Sequence, residues 1–192
     1  MTTPLAKTKS ILREQIRARL KTISAAERAV AATQLCVRLK ASEIWRAAKS
    51  VLLFAPLVDE PYLWPLLAEA LHAGKLTALP RFDPATQKYG ACQIRNLAGD
   101  LVSGQFGIRE PNNSCPVVPL NRLDLILVPG VAFDLHGRRL GRGKGFYDQL
   151  LAEVRGKTCG VAFDEQIVAD IPMEPHDIPL NCILTPVRWI EP

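Results

Sequence analysis

The chain is poor in aromatic residues, at 6% of its 192 positions, and has only three histidines. Histidines at 72, 136 and 176 share no spacing, so a histidine metal centre finds no support. The five cysteines are odd in number, scattered, and never in a CxxC arrangement. That speaks against a disulfide framework or structural zinc and for reduced thiols used as small core residues. No apolar run is long enough to span a bilayer; the best stretch, Val51 to Val58, is broken by Pro56. The N-terminus has no apolar core of the signal-peptide kind, so a cytoplasmic protein is expected. No paired Cys/His or RNP-like stretch is present, which weakens a nucleic-acid reading despite the net charge of +5.

That charge is uneven. Residues 1–50 hold eleven Lys or Arg against three Glu, a net of +8, which leaves −3 for the remainder. A small anionic ligand or a solvated helix face explains such a segment as well as nucleic acid does. Ile11, Leu12, Ile16 and Leu20 predict an amphipathic helix over 7–23. Ser24-Ala-Ala-Glu27 matches a capping box, so a second helix is expected to run to about Lys40. A strand follows at Val51–Ala55. Pro61 suits a first helical position, ahead of an apolar stripe of Leu63, Leu66, Leu67, Ala70 and Leu71. Further strands are predicted at Leu76–Leu79 (stopped by Pro80), Leu125–Val128, Thr158–Phe163 and Asn181–Leu184, with a helix over Phe146–Val154. Residues 81–122 are turn-rich, with a weak strand candidate at Gln93–Asn96. Alternating strands and helices imply an α/β fold: an open, mostly parallel sheet flanked by helices, in one domain of 1–192 with an N-terminal helical part at 1–49. Ligands in such folds sit beyond the C-terminal strand ends, where Pro56–Glu60 and Pro129–Asp148 fall.

The densest chemistry lies in the second of these. Gly137, Gly141, Gly143 and Gly145 alternate with Arg138, Arg139, Arg142 and Lys144. A Walker A loop is excluded, because Arg138 stands at its first glycine and Gly145 at its Ser/Thr position; Phe146 breaks GxGxxG. An anion cradle and a solvated cationic turn both remain open on spacing alone. Asp148, in the first turn of the following helix, suits dipole compensation or a Mg2+ site equally. Trp45, Trp64 and Trp189 read as core or rim packing.

Several separated motifs, in order, resemble the 5-formyltetrahydrofolate cyclo-ligase (5,10-methenyltetrahydrofolate synthetase) family. They are Lys9-Ser-Ile-Leu-Arg13, the Glu60 loop of Pro56–Tyr62, Gly74–Pro80, Phe106-Gly-Ile-Arg-Glu-Pro111, Val128–Asp148, Ala162–Gln166, Pro172–Asp177 and Thr185. The resemblance implies a sheet like that of sugar-phosphate isomerases and coenzyme A transferases. It implies ATP-dependent closure of 5-formyltetrahydrofolate to 5,10-methenyltetrahydrofolate, with Mg2+. ATP would be bound by Lys9, Ser10, Ile11, Leu12 and Arg13, and by Arg139, Leu140, Gly141, Arg142, Gly143, Lys144, Gly145, Phe146 and Tyr147. Lys9, Arg142, Lys144 and Tyr147 would serve catalysis. Leu57, Glu60, Tyr62 and Tyr147 would contact the folate, and Asp148 and Asp177 the metal. Many relatives carry Tyr and Gly where Arg142 and Lys144 stand, and a basic residue in place of Gln149. A monomer is expected, with ATP and reduced folate as its ligands and neither nucleic acid nor membrane as partner. A sugar-phosphate isomerase and a nucleic-acid-binding module are the rival readings.

Overall fold

The apolar run Leu125–Val128 forms a strand buried along its whole length. The computed structural model describes residues 4–104, 107–175 and 177–192. The helices are α1 (Pro4–Thr22), α2 (Ala25–Ala41), α3 (Glu43–Ala47), α4 (Trp64–His72) and α5 (Phe146–Glu153). The strands are β1 (Ser50–Leu52), β2 (Leu76–Asp83), β3 (Lys88–Ile94), β4 (Leu101–Ser103), β5 (Arg109–Pro111), β6 (Val117–Val118), β7 (Leu125–Val128), β8 (Ala132–Asp134), β9 (Arg139–Leu140), β10 (Lys157–Val161), β11 (Ile167–Val168), β12 (Cys182–Leu184) and β13 (Trp189–Ile190).

One eight-stranded sheet has the order β13-β12-β10-β7-β1-β2-β3-β6. Its centre, from β12 through β10, β7 and β1 to β2, is parallel; β13, β3 and β6 are antiparallel additions. Side-chain alternation along β7 divides the core. Leu125 and Leu127 pack with the α2–α4 side, including Leu35, Leu39 and Leu67. Ile126 and Val128 pack with Leu150 and Leu151 of α5. From β1 the chain moves out to β2 on one side and then returns to β7 on the other. The β1/β7 boundary is therefore a topological switch point, where strand ends diverge and leave a crevice.

A three-stranded sheet, β11-β8-β9, stands apart from the large one. Ile16 and Leu20 of α1 pack on it with Val131, Ala132, Leu140, Phe163 and Ile171. This packing carries the cationic helix to the glycine loop. The capping box at Ser24 is formed: its hydroxyl accepts from Glu27 N, and Glu27 Oε2 accepts from Ser24 N. Ser24→Ala is expected to cost about 1 kcal/mol, read as a melting midpoint lower by roughly 2–4 °C.

Several boundaries differ from the sequence expectation. β1 ends at Leu52 rather than Ala55, because Leu53 is the last residue to donate to β2, through Ala78 O. Pro61 lies outside a helix; α4 starts at Trp64, with Pro65 in its first turn. Pro80 does not stop its strand. β1 pairing ends at Ala78, so a proline two residues on leaves no β1 bond unmade, and β2 continues to Asp83 against β3. The turn-rich 81–122 region holds the β2–β3 hairpin and the β4–β5 pair. The glycine loop begins with a β8–β9 hairpin. Four of the five cysteines are buried, as small core residues would be. Trp45 is buried, and Trp64 and Trp189 pack against the same cluster.

Candidate active site

A cavity of about 350 Å³ opens at the switch point. Phe54, Leu57 and Glu60 reach it from the loop after β1, and Pro129 and Gly130 from the end of β7. Glu60 is buried. Its Oε2 accepts from Leu57 N at 2.9 Å, and its Oε1 from Arg142 Nη2 at 3.0 Å and Nε at 3.3 Å. Burial pushes the Glu60 carboxyl above the usual range, against the pull of Leu57 N–H and the Arg142 charge. Arg142 also pairs with Asp59, so the glycine loop is tied to the loop after β1 by one guanidinium.

The β8–β9 hairpin is built around Asp134, which is fully buried. Its Oδ1 accepts from His136 N at 2.9 Å and Arg138 N at 3.1 Å, and its Oδ2 from Ile171 N at 3.0 Å. The hairpin delivers Arg139, whose side chain is 4% exposed and pairs with Asp148. The Arg139 guanidinium also lies 5.7 Å from the Tyr147 ring centroid. Beyond it the backbone turns through Gly143 (φ 100°) and Gly145 (φ 70°), left-handed conformations that disfavour side chains. Gly145 is the N-cap of α5, so the first free amides of that helix open beside the loop. Phe146 stacks edge-on with Tyr89 and Phe82, at centroid distances of 5.0 and 5.6 Å. Burial, then the Glu60 charge, pushes the Tyr147 hydroxyl far up its scale, so it is a hydrogen-bond donor at neutral pH.

Helix α1 meets this loop directly. Arg13 Nε donates to Gly141 O at 2.8 Å. Lys9, one turn earlier, is buried and pairs with Asp177 at 2.7 Å and Glu174 at 2.8 Å. Burial alone would lower the Lys9 pKa; the two carboxylates outweigh it, and the ammonium is held charged. Their negative charge is also felt by Arg13. The structure thus brings Lys9, Arg13, Gly141 and Asp177 into one cluster at the edge of the glycine loop.

Residues 5–186 match the model of the 5-formyltetrahydrofolate cyclo-ligase family. The chain belongs to that family. It is 36% identical over 149 residues to the 5-formyltetrahydrofolate cyclo-ligase of Mycolicibacterium smegmatis, covering 75% of this chain and 77% of that one. It is 30% identical over 186 residues to the Mus musculus cyclo-ligase, covering 90% and 91%. Among solved structures, the 5,10-methenyltetrahydrofolate synthetase of Aquifex aeolicus superposes with a TM-score of 0.86 at 34% identity, covering 95% of this chain and 92% of that one.

With the cyclo-ligase family established, the expected site residues sort by position. Leu57, Glu60, Arg139, Gly141, Arg142, Lys144, Gly145, Phe146, Tyr147 and Asp148 all line the cavity. Leu140 is buried in the α1 core cluster, and Leu12 packs against it. Ser10 and Ile11 are exposed on α1, and Tyr62 is 58% exposed and not part of the cavity wall. Asp148 and Asp177 are each engaged by a cation, Arg139 and Lys9 respectively. Phe106 and His176 lie outside the described residues. Sequence reasoning missed Tyr89, Ile108 and Glu110, which line the cavity from the 81–122 region. For Ile108 and Glu110 the signal was the Gly-Ile-Arg-Glu-Pro segment at 107–111; Tyr89 had none.

Proposed function

We propose that the protein closes 5-formyltetrahydrofolate to 5,10-methenyltetrahydrofolate, using ATP and Mg2+ and releasing ADP and phosphate. The observation that carries this reading is the Arg13–Gly141 hydrogen bond, which joins the basic helix to the glycine loop at the mouth of the cavity. Arg13, Lys9 and the loop cations supply positive charge, and the α5 N-terminus supplies backbone donors. Together these suit a nucleotide triphosphate. The apolar cavity behind them, walled by Phe54, Tyr89 and Phe146, suits a flat heterocycle.

The chemistry asks the chain for positioning and charge neutralisation. In this scheme the formyl oxygen attacks the γ-phosphorus and ADP leaves. The formyl carbon, now bearing the phosphorylated oxygen as its leaving group, is then electrophilic. N10 attacks it, gives up its proton, and expels phosphate as the ring closes. Arg142 and Lys144 face the cavity where negative charge builds up, and Tyr147, protonated, donates a hydrogen bond there. Glu60 and Leu57 hold the folate side.

The donor set fits Mg2+. Asp148 and Asp177 offer hard carboxylate oxygens, and this ion commonly takes one or two carboxylates with the substrate's phosphate oxygens completing its shell. No group of three or more His, Cys, Asp or Glu placed to hold a metal occurs among the described residues. When bound, Mg2+ neutralises charge on the phosphates. The same reading takes residues 1–192 as one domain, working as a cytoplasmic monomer without nucleic acid or membrane. No helix among the described residues is long and apolar enough to cross a bilayer.

An absorbance assay of ring closure tests the proposal. Wild-type protein should form product only with ATP and Mg2+. Asp148→Asn, Lys9→Ala and Arg13→Ala should each lower kcat/KM for ATP by roughly ten- to a hundred-fold. Wild-type rates in all three would remove the assigned roles. Product without ATP, or none under any condition, would sink the reaction itself.

A further inference from the structure

Asp59 does not line the cavity, yet it holds a residue that does. Arg142 Nη2 donates to Asp59 Oδ1, and the same guanidinium donates from Nη2 and Nε to Glu60 Oε1, at 3.0 and 3.3 Å. Glu60 Oε2 is turned back on its own loop. It accepts from Leu57 N at 2.9 Å, while Glu60 N donates to Leu57 O at 3.0 Å. That turn fixes the carboxyl. Oε1 is the oxygen left for a ligand in the cavity that Glu60 lines, and Arg142 occupies it.

The other end of the contact lies in the glycine loop. Gly141 O accepts from Arg13, and the Arg13 guanidinium lies 3.7 Å from where a Cβ at Gly143 would stand. Arg142, between these two glycines, belongs to the cationic side of the site, but its guanidinium is turned to two carboxylates. Its side chain is 33% exposed, so phosphate oxygens can reach it, and they match the guanidinium fork as well as a carboxylate does. The Glu60 side chain is only 6% exposed. Taking Arg142 away with nothing in its place would leave a buried charge unpaired, which is strongly unfavourable. An N–H donor from a ligand on Oε1 offsets that loss.

We propose that Asp59 holds Arg142 against Glu60 as a lock between the two substrate sites, so that ATP and folate each bind more tightly once the other has opened it. The inference rests on the reading that Arg142 serves the nucleotide and Glu60 the folate. Phosphate oxygens that draw Arg142 away free Oε1 for a folate N–H; a folate N–H on Oε1 frees Arg142 for phosphate. The first ligand must break the ion pair, and the second finds it broken. The first ligand's affinity is therefore lowered in proportion to the fraction of molecules already open, and the coupling is reciprocal. Asp59 is a positioning residue in this scheme, acting through Arg142.

Calorimetry with 5-formyltetrahydrofolate tests this, alone and with a saturating β,γ-imido analogue of ATP and Mg2+, with melting curves alongside. The analogue does not transfer its phosphoryl group, so no ring closes. In the wild type it is expected to tighten folate binding about ten-fold, a usual size for such coupling. Asp59→Ala removes one of the two carboxylates on Arg142. Folate alone should then bind several-fold tighter than in the wild type, and the analogue should add roughly three-fold or less. A residue that merely shaped the loop would weaken binding when lost. Asp59→Asn keeps an acceptor without the charge and should fall between. Wild-type folate affinity indifferent to the analogue would overturn the inference, as would coupling in a folded Ala variant equal to wild type. If the Ala variant does not fold, the Asn variant decides by the same measure. Wild-type protein that binds no 5-formyltetrahydrofolate with or without the analogue would instead defeat the reading of the cavity, whatever the variants do.

Discussion

Arg139→Met should lower kcat/KM for ATP-dependent ring closure by roughly a hundred- to a thousand-fold, the usual loss when a preorganised charged donor is taken from a reacting site. Arg139 lines the cavity, yet its side chain is almost wholly buried. It is held by Asp148 at the start of α5, by the Pro129 carbonyl at the end of β7, and by the Tyr147 ring. One planar cation thus joins three elements that meet at the cavity. Methionine fills much of the volume but leaves the Asp148 carboxylate without its partner and Tyr147 without its cation. Arg139→Lys keeps the charge and is expected to recover little, because an ammonium cannot hold the forked geometry. Steady-state rates over a range of ATP and folate concentrations, with melting curves for each variant, check this. A folded Met variant within ten-fold of wild type would rule out a role for Arg139 in the chemistry.

The second large effect is on stability. Asp134→Ala should cost about 3–5 kcal/mol, because it strips acceptors from three backbone N–H groups on two separate segments. For a chain of this size that corresponds to a melting midpoint lower by roughly 10 °C or more. Asp134→Asn provides an internal control. Its one carbonyl oxygen can replace Oδ1 on His136 N and Arg138 N, but its amide faces Ile171 N–H, so an intermediate loss is expected. Chemical denaturation of the three proteins decides the matter. Equal stability in the Ala variant would show that Asp134 does not hold the hairpin to the Ile171 segment. The consequence for function runs through position: this hairpin presents Arg139, and the chain after Ile171 presents Glu174 and Asp177 to Lys9.

Where local pattern and tertiary demand agreed, elements were legible. Leu125–Val128 is apolar at every position because both faces of β7 are covered. Ser24 and Glu27 mark a helix start that needs nothing beyond four residues. Pro80 misled because proline's cost in a strand depends on whether a neighbour needs its N–H, and that is decided by where β1 ends. The 81–122 region was opaque for a related reason: β6 pairs with β3, and β4 with β5, across turn-rich loops, and strands two or three residues long carry no period. The candidate site followed the same division. The glycine loop and its cations stood out by composition, whereas Tyr89 and Glu110 belong to the cavity only because β3 folds against α5 and β5 packs beside β2.

By itself the chain's order of residues determined the cap of its second helix, its central strands, the cation-rich glycine turn and its kinship with the cyclo-ligases, since each of these is written within a short window or in a series of such windows. Only the folded molecule decided which charges meet. Lys9 stands 168 residues from Asp177, and Arg13 stands 128 from Gly141. Contacts at such separation depend on α1 burying Ile16 and Leu20 against the small β11-β8-β9 sheet, a packing that no local pattern of polar and apolar residues specifies.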